Sequence, residues 1–354
     1  MKTMKRSWAG RLAGRAPAWA ALRALAALAA LAGGSAWAWG PQGHRTVGAI
    51  ADQLIAGTAT ATKVRAILGS SLQTAAGWAD CARSVESDQG VWRYANAGTF
   101  ADCQVYENPA SEAALVDFVK RNASRCGGFA SSAECRHKGY HFVDQSISHP
   151  RYDPTLPGTG PADLVHAVNA AITVLQGGKS PAPFDIRGQR EALRLLTHYL
   201  GDLHQPLHVG SIYLDDAGRP LDPATPKDAH DHGNAGGNLI GLEGNALHRL
   251  WDDVPAPLVK LLQSGSGADQ ARLQPPPQGP LAGWAADWAG DTNAQAAKAF
   301  DGLRFGARQS TPKGVQWPAS ASEPDYRRTR EALQQAQLVK AGARLARVLT
   351  TLWP

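Results

Sequence analysis

Apolar residues return at helical spacing in several separate runs of this chain. One side of the run 43–55 carries Val47, Ile50, Ala51 and Leu54, positions that meet on one face of an α-helix. The pattern returns in the runs 161–178, 188–205, 245–253, 284–300 and 325–352. No run sustains the two-residue alternation of a half-buried strand, so a large sheet is not expected. The sequence predicts an all-α, multi-helix domain with irregular segments at 84–110, 123–139 and 209–237.

The first residues have the composition of a secretory signal peptide. Residues 1–23 contain six basic side chains and no acidic one, and nine apolar residues follow at 24–32. That run is far shorter than the roughly 20 residues that span a bilayer. Ala36 and Ala38 match the usual small-residue cleavage pattern. We expect a signal peptide at 1–38, cleavage between Ala38 and Trp39, and a secreted or periplasmic protein with one domain at 39–354.

The charge balance changes once this leader is set aside. The whole chain has 36 Lys plus Arg against 30 Asp plus Glu, a formal net charge of +6. Six of the basic residues lie in the leader, so residues 39–354 contain 30 of each sign. Nucleic acid therefore cannot be held by a basic field over the whole surface. Any such binding has to come from a local site.

Cysteine usage fits an exported protein. The chain has four cysteines, Cys81, Cys103, Cys126 and Cys135, and an even count in an oxidising compartment favours disulfides. Three connectivities are open. We favour Cys81–Cys103 and Cys126–Cys135, because each pair closes a local loop. A four-cysteine zinc site is disfavoured, since no CxxC pair occurs.

Metal-capable residues recur at helical spacing beside apolar ones. The stretch LTHYLGDLHQPLHVG, residues 196–210, contains His198 and Asp202 four residues apart, and His248 and Asp252 repeat that spacing. Residues four apart share a helical face, and zinc accepts imidazole nitrogen and carboxylate oxygen in roughly tetrahedral geometry. His208 follows a proline, where the chain can turn back toward the same cavity. The sequence therefore predicts a zinc site beside the core.

The expected mature N-terminus adds an unusual candidate ligand. Processing would leave Trp39 with a free α-amine, which titrates near about 7.7–8.0, so a metal can displace its proton at neutral pH. The amine and carbonyl of one residue can form a five-membered chelate. His44 follows near the start of the first predicted helix. An ordinary frayed terminus is the alternative interpretation.

Short motifs of these residues occur in a defined order along the chain. They are WGPQGH at 39–44, WAD at 78–80, YHFVD at 140–144, HYLGDLHQPLH at 198–208, GGN at 236–238 and NALHRLWD at 245–252. Together they resemble the zinc-dependent S1/P1 nuclease family, from Trp39 to the C-terminal helix. The resemblance implies an all-α fold shared with zinc phospholipase C and a cleft that holds three zinc ions. It also implies a secreted enzyme that cleaves single-stranded nucleic acid and removes 3′-phosphates.

The resemblance further implies which residues would hold the three ions. The first ion would be bound by Asp80, His141, His198 and Asp202. The second would be bound by the amine and carbonyl of Trp39, with His44 and Asp202. The third would be bound by His208, His248 and Asp252. One carboxylate, that of Asp202, would therefore bridge the first two ions.

Four more residues receive roles from the same resemblance. Asp144 would orient or deprotonate the attacking water. Arg83 would contact the phosphate, for which a planar guanidinium is well suited. Phe142 and Asn238 would form a base pocket by stacking and by polar contacts. Because stacking on an aromatic ring is worth about 1–3 kcal/mol per base and a duplex must first unstack, single strands are the expected substrate.

Two other functions share parts of this pattern. Zinc phospholipase C has the N-terminal tryptophan and a similar HYLGD segment, but it resembles this chain less beyond residue 210. A non-catalytic zinc-binding surface protein on the same scaffold would not need Asp144 and Arg83. We therefore expect a monomeric endonuclease and 3′-nucleotidase that acts on single-stranded DNA, RNA and 3′-nucleotides, with no membrane span after processing.

The clearest departure from the family lies between His208 and Gly236, where this chain has a longer link. The link contains His230, Asp231 and His232, which could bind a further metal or shape the substrate channel. A solvated loop is the alternative, and it is the one we favour for a connecting segment.

Overall fold

The structure is a computed structural model that describes residues 39–123, 137–311, 314–322 and 324–354. These residues belong to one compact unit. The expected signal peptide at 1–38 and the expected disulfide Cys126–Cys135 lie outside the described residues. Within the described ranges, no helix is both long enough and apolar enough to cross a bilayer.

Helices make up most of the structure, as the sequence predicts. The α-helices are α1 (Pro41–Ile55), α2 (Ala59–Leu68), α3 (Leu72–Ala75), α4 (Trp78–Ala82), α5 (Pro109–Arg121), α6 (Leu164–Leu175), α7 (Gly188–Asp202), α8 (Pro206–Val209), α9 (Pro226–His232), α10 (Leu247–Asp252), α11 (Ala256–Leu261), α12 (Gly267–Arg272), α13 (Leu281–Phe300) and α14 (Asp325–Leu352). Short 3-10 helices cover Ala101–Tyr106 and His137–His141, and a π-helical turn covers Leu262–Ser266. Each of the six runs with apolar residues at helical spacing forms an α-helix. The ends of these helices differ from the predicted ends by a few residues.

Local chemistry explains where these helices begin. Pro41 occupies the first turn of α1, where a missing N–H leaves no hydrogen bond unmade. α6 begins at Leu164 rather than at Pro161, because the side chain of Asp163 caps it by accepting from the amide of His166.

The main core lies between the long helices. α14 packs along α1, and α6 packs against α7. The predicted apolar stripes face one another there, with Val47, Ile50, Val168, Leu196 and Leu345 each fully or almost fully buried. Each such side chain contributes about 1.5–3 kcal/mol by leaving water. This core holds rigidly the two helices, α1 and α7, that carry the first predicted ligands.

The described strands are short: β1 (Val85–Asp88), β2 (Val91–Tyr94), β3 (Gln145–Ser146), β4 (Gly210–Ser211), β5 (Tyr213–Leu214), β6 (Pro220–Leu221), β7 (Ile240–Leu242), β8 (Asn245–Ala246), β9 (Arg304–Phe305), β10 (Gln309–Thr311) and β11 (Gly314–Ser320). Five of them form a sheet in the order β10-β11-β7-β8, with β9 also paired to β11. β11 runs parallel to β7, so Trp317 faces Ile240. The sequence did not predict this sheet, because strands of a few residues are too short to show a period.

A second, smaller core lies under this sheet. Its largest members are Trp251, Trp317, Tyr326 and Phe300. The indole N–H of Trp251 donates to the Tyr326 hydroxyl over 3.1 Å, and that hydroxyl donates to the carbonyl of Ala299 over 2.8 Å. The small core therefore anchors α10, which carries His248 and Asp252.

Two segments that the sequence marked as irregular contain regular structure. In 84–110, β1 and β2 form an antiparallel hairpin, and the disulfide Cys81–Cys103 joins α4 to the 3-10 helix at 101–106. That predicted pairing is confirmed. In 209–237, a capping box at Thr225 begins α9, and Ile212, Tyr213 and Leu214 are buried. The favoured interpretation of this link as a solvated loop is therefore wrong for its first part.

Candidate metal centre

The predicted ligands come together from six elements where the two cores meet. α1 contributes His44, α4 contributes Asp80, the 3-10 helix at 137–141 contributes His141, α7 contributes His198 and Asp202, α8 contributes His208, and α10 contributes His248 and Asp252. All of these residues are at most 5% exposed. Within each of α7 and α10, the four-residue spacing places the histidine and the aspartate on one face. Helical geometry thus brings polar side chains to one buried site.

Three groups of these residues are close enough to share a metal ion. The groups are His44, Asp80 and His198; His141, His198 and Asp202; and His208, His248 and Asp252, each with ligand atoms within 4.8 Å of one another. The third group has the composition that the sequence predicts. The first two share His198, and Asp202 approaches His44 over 3.3 Å. All eight side chains predicted as ligands therefore belong to these groups. His44, however, groups with Asp80, whereas the resemblance assigns these two residues to different ions.

The hydrogen bonds of three histidines orient their free nitrogen toward these groups. Nδ1 of His198 lies 2.7 Å from the carbonyl oxygen of Ala76. Nδ1 of His208 lies 2.7 Å from that of His141, and Nδ1 of His248 lies 2.5 Å from that of Gly236. A carbonyl only accepts, so Nδ1 carries the proton in each ring. In the neutral ring Nε2 then has a lone pair, which is how proteins usually prepare a histidine for a metal.

Several buried atoms of the site lack any hydrogen bond among the described residues. They are both ring nitrogens of His44, Nε2 of His141, Oδ1 of Asp80 and Oδ1 of Asp202. Buried polar atoms without a partner are rare and destabilising. Their concentration at one point is the pattern expected of ligand atoms, so the donor set fits a metal such as zinc.

Electrostatics in the site also favour positive charge. Burial raises the pKa of Asp252 well above its usual range, and the charges of Asp80 and Asp202 raise it further. Burial lowers the pKa of His198, but Asp202 and Asp80 outweigh this and raise it to about 9. Three carboxylates buried in one site are stabilised by cations between them, since otherwise one of them takes up a proton.

The remaining imidazoles are held neutral. Burial lowers the pKa of His141 to about 4, with smaller contributions from His198 and Arg83. Burial and the charge of His208 lower the pKa of His248 to about 3. Neutral imidazole is the form that binds metal ions, so most of the histidines are ready to act as ligands near neutral pH.

Gly201 permits the close approach of α1 to α7. A Cβ at this position would lie 2.6 Å from Nδ1 of His44, closer than atoms tolerate. With glycine there, the His44 ring stacks on that of His198, with centroids 3.7 Å apart. The sequence HYLGD therefore contains two predicted ligands, His198 and Asp202, and a glycine that leaves space for a third, His44.

Gln205 is a site residue that sequence reasoning missed. Its side chain is fully buried, and Nε2 donates to Oδ1 of Asp252 over 2.8 Å. Its Oε1 accepts from the amide of Leu207 over 2.6 Å, at the start of the turn that carries His208. Gln205 thus couples two members of the third group and leaves Oδ2 of Asp252 facing His248, at 3.3 Å. A glutamine directly before a proline, inside a motif rich in predicted ligands, was the available signal.

The other predicted residues surround the clusters. Nη1 of Arg83 lies 3.6 Å from Oδ1 of Asp80, with the Arg83 side chain 22% exposed. Asp144 and Phe142 are half-buried, in the segment that follows His141. Trp39 is fully buried, and the next amide, that of Gly40, donates to the Asp252 carbonyl over 2.9 Å. Arg83 and Trp39 therefore lie beside predicted ligands.

Asn238 lies at the end of a turn that supports His248. Its side-chain amide donates to the carbonyl of Ala235 over 2.8 Å. In the same turn, buried Asn234 accepts from the amide of Gly237, while Gly236 accepts from Nδ1 of His248. The base pocket formed by Phe142 and Asn238 stays a prediction.

The histidines of the link lie apart from these groups. His230, Asp231 and His232 are on α9, exposed or half-buried, and Asp231 pairs with Lys227. Across the part of the chain that the structure describes, they belong to none of the groups that could hold a metal. The suggested additional metal site finds no support in this geometry.

Comparisons with known proteins agree with the geometry. A family model described as S1/P1 Nuclease matches residues 39–127 and 130–353. A segment is 38% identical over 68 residues to a protein named Endonuclease 3 from Arabidopsis thaliana, covering 18% of this chain and 16% of that relative. The shared segment thus spans far less than two thirds of the relative. The family match, in contrast, covers nearly all of the described residues, and on that ground the chain belongs to the S1/P1 nuclease family.

Proposed function

We propose that this protein is a secreted, zinc-dependent phosphodiesterase that cleaves single-stranded DNA and RNA and removes 3′-phosphates from nucleotides. One observation carries the proposal. Three imidazoles, those of His198, His208 and His248, have Nδ1 bonded to a backbone carbonyl. Nε2 of His198 and of His248 lies within 3.3 Å of a buried carboxylate, and Nε2 of His208 lies 3.1 Å from Nε2 of His248. Membership of a nuclease family supports the hydrolase activity.

We assign the ligands as the sequence motifs imply. Asp80, His141, His198 and Asp202 bind one ion; His44, Asp202 and the amine and carbonyl of Trp39 bind a second; His208, His248 and Asp252 bind a third. Asp202 is suited to bridging, because its two oxygens lie 3.3 Å from Nε2 of His44 and 3.0 Å from Nδ1 of His141. When bound, zinc supplies a Lewis acid that offsets phosphate charge and makes water nucleophilic near neutral pH.

The residues of the chain supply orientation and charge around the reacting phosphate. Arg83 binds non-bridging oxygens through its planar guanidinium, and Asp80 holds that guanidinium at the edge of the clusters. Asp144 accepts the proton of the attacking water or orients it, a contribution that is typically about 100-fold or more. The leaving 3′-oxygen would be stabilised by a bound zinc ion, so no separate protein acid is required.

Selection of single strands follows from a base pocket formed by Phe142 and Asn238. The face of an aromatic ring can stack on an unpaired base for about 1–3 kcal/mol. Bases in a duplex already stack on their neighbours, so they can make this contact only after the duplex opens. The near-neutral charge of residues 39–354 is consistent with recognition by a local pocket.

The test is to purify the protein with Trp39 as its first residue and to measure metal content and activity. We expect about three zinc ions per chain and hydrolysis of single-stranded DNA, RNA and 3′-AMP, with slower cleavage of a duplex. Hydrolysis of phosphatidylcholine alone would identify a phospholipase instead. Bound zinc without any hydrolysis would identify a binding protein on the same scaffold.

A matched pair of N-termini tests the role assigned to Trp39. One protein begins at Trp39 and the other carries one extra alanine before it. The extra residue converts the amine to an amide, so we expect the longer protein to lose about one zinc ion and most of its activity. Equal zinc content in the two proteins would remove Trp39 from the ligand set.

A further inference from the structure

The longer link between His208 and Gly236 begins as a buried strand beside the site. β4 pairs with β3 in parallel, so Gln145 faces Gly210. Tyr213 follows on β5 and is 1% exposed. The link therefore lies directly against the segment that contains Asp144.

Both backbone groups of Asp144 are held in this arrangement. Its amide donates to the carbonyl of Gly158 over 3.0 Å. Its carbonyl oxygen accepts from the hydroxyl of Tyr213. With both hydrogen bonds made, the direction in which the side chain leaves the backbone is determined.

Gly158 is required for this junction. Its φ is +90°, a value that favours glycine. A Cβ at Gly158 would overlap the Asp144 carbonyl and the Tyr213 hydroxyl. Three chain segments therefore converge on one peptide group.

The neighbours of Asp144 have separate supports. The amide of Val143 donates to the carbonyl of His208 over 2.7 Å, and the amide of Ile147 donates to that of Ser211 over 3.0 Å. Loss of the Tyr213 hydroxyl would therefore leave the adjoining backbone in place and release chiefly the peptide that follows Asp144. The hydroxyl of Tyr213 keeps its proton near neutral pH and so remains a donor, because burial and the charge of Asp144 raise its pKa.

We propose that Tyr213 is a positioning residue, whose hydroxyl fixes the peptide of Asp144 and thereby aims the Asp144 carboxylate at the attacking water. The inference rests on the proposed function, in which Asp144 handles the attacking water. Misplacement of a reacting group by about 1 Å can reduce a rate by about 100-fold. The longer link of this chain is thus part of the catalytic scaffold.

The substitution Tyr213→Phe tests this, since it removes one hydroxyl and keeps the buried ring. We expect kcat on single-stranded DNA to fall about 10-fold while KM changes by less than about twofold, which is the signature of a group that acts in the transition state. Zinc content should not change. The matched control is Tyr106→Phe, because the Tyr106 hydroxyl is also buried and donates to a backbone carbonyl, that of Thr74, over 2.8 Å. The control should keep the wild-type kcat.

A double substitution separates positioning from general stability. In an Asp144→Asn background, Tyr213→Phe should reduce kcat by less than about twofold, because residues that act through one another are not additive. The inference is overturned if Tyr213→Phe keeps the wild-type kcat, or if it causes the same loss in both backgrounds. A wild-type protein inactive on every nucleic acid substrate overturns the proposed function itself, and the inference with it. An active wild type with an unaffected variant overturns the inference alone.

Discussion

Two regions near the end of α7 hold buried imidazoles with opposite chemistry. On one side, His198 presents Nε2 to the buried carboxylates of Asp80 and Asp202. On the other side, His204 is equally buried, but both of its nitrogens are occupied. Nδ1 lies 2.7 Å from the Leu200 carbonyl, and Nε2 lies 2.8 Å from Nη1 of Arg344.

The charged side chains around His204 form a hydrogen-bonded network with it. Arg344 also donates to Asp291 over 2.8 Å, and Lys340 donates to the same carboxylate over 2.9 Å. The guanidinium lies over the ring of Trp288. Burial and the charge of Arg344 hold the pKa of His204 well below its usual range. The partner of the second nitrogen thus distinguishes a buried histidine that could bind a metal from one that supports the fold.

The largest expected effect comes from Asp202→Asn. The Asp202 carboxylate lies within 3.3 Å of the imidazoles of His44, His141 and His198. Loss of its charge should reduce zinc affinity and activity by more than about 100-fold, because even groups behind the ligands contribute about 10–100-fold. Zinc content by elemental analysis and hydrolysis of single-stranded DNA measure this. The matched change Asp291→Asn on the His204 side should keep the zinc, and equal losses in the two proteins would contradict the comparison.

Gln205→Leu should have the next largest effect. It removes the amide that bonds Asp252 and the cap of the turn before His208. We expect the affinity for one zinc ion to fall about 10–100-fold, measured by competition with a chelator. Gln337→Leu is the control, since Gln337 is also buried but donates to the carbonyl of His204. Equal zinc affinities in the two variants would show that Gln205 has no role in the third group.

Arg344→Met should lower stability without lowering zinc content. It leaves Nε2 of His204 without its donor and removes one of the cations paired with Asp291. Because the Arg344 side chain is 20% and that of Asp291 32% exposed, solvent screens the pair, and we expect a loss of about 2 kcal/mol in the free energy of unfolding. Urea denaturation of the zinc-loaded protein measures it. A loss of zinc at unchanged stability would reverse the roles assigned to the two sides.

The smallest expected effect concerns His166, whose partner is a carboxylate but which faces solvent. The hydrogen bond that Nδ1 of His166 donates to the Asp163 carboxylate raises the pKa of His166. The folded protein therefore binds this proton more tightly than the unfolded chain does. The stabilisation is fully present below the unfolded pKa of 6.5 and is lost as pH rises through the higher folded value.

The variant His166→Gln should accordingly be less stable than the wild type at pH 5.5 and about as stable as the wild type at pH 8.5. With the His166 side chain 40% exposed, the difference should be below about 1 kcal/mol. Thermal unfolding at the two pH values measures it. A difference between the two proteins that does not depend on pH would mean that this pair is not charged.

Much of the fold could be predicted because helices are local. The face shared by Val47 and Ile50, or by His198 and Asp202, follows from a period of 3.6 residues, whatever else the chain does. Burial of apolar stripes then brings those faces together. The short sheet was not predictable in this way, because the pairing of Ile240 with Trp317 depends on where distant segments end.

The sequence by itself predicted six of the helices and the candidate ligand types with their four-residue spacing, and it favoured Cys81–Cys103 among the open cysteine pairings. Only the tertiary structure decided which polar atoms would be left without a partner. His198 and His204 are alike in sequence context, and each has a backbone carbonyl at Nδ1. At Nε2, His198 meets the carboxylates of Asp202, four residues away in sequence, and of Asp80, whereas His204 meets Arg344, which is 140 positions away. Gln205 and Tyr213 acquire their roles in the same way, because a hydrogen-bond partner is fixed by packing in three dimensions and no local period encodes it.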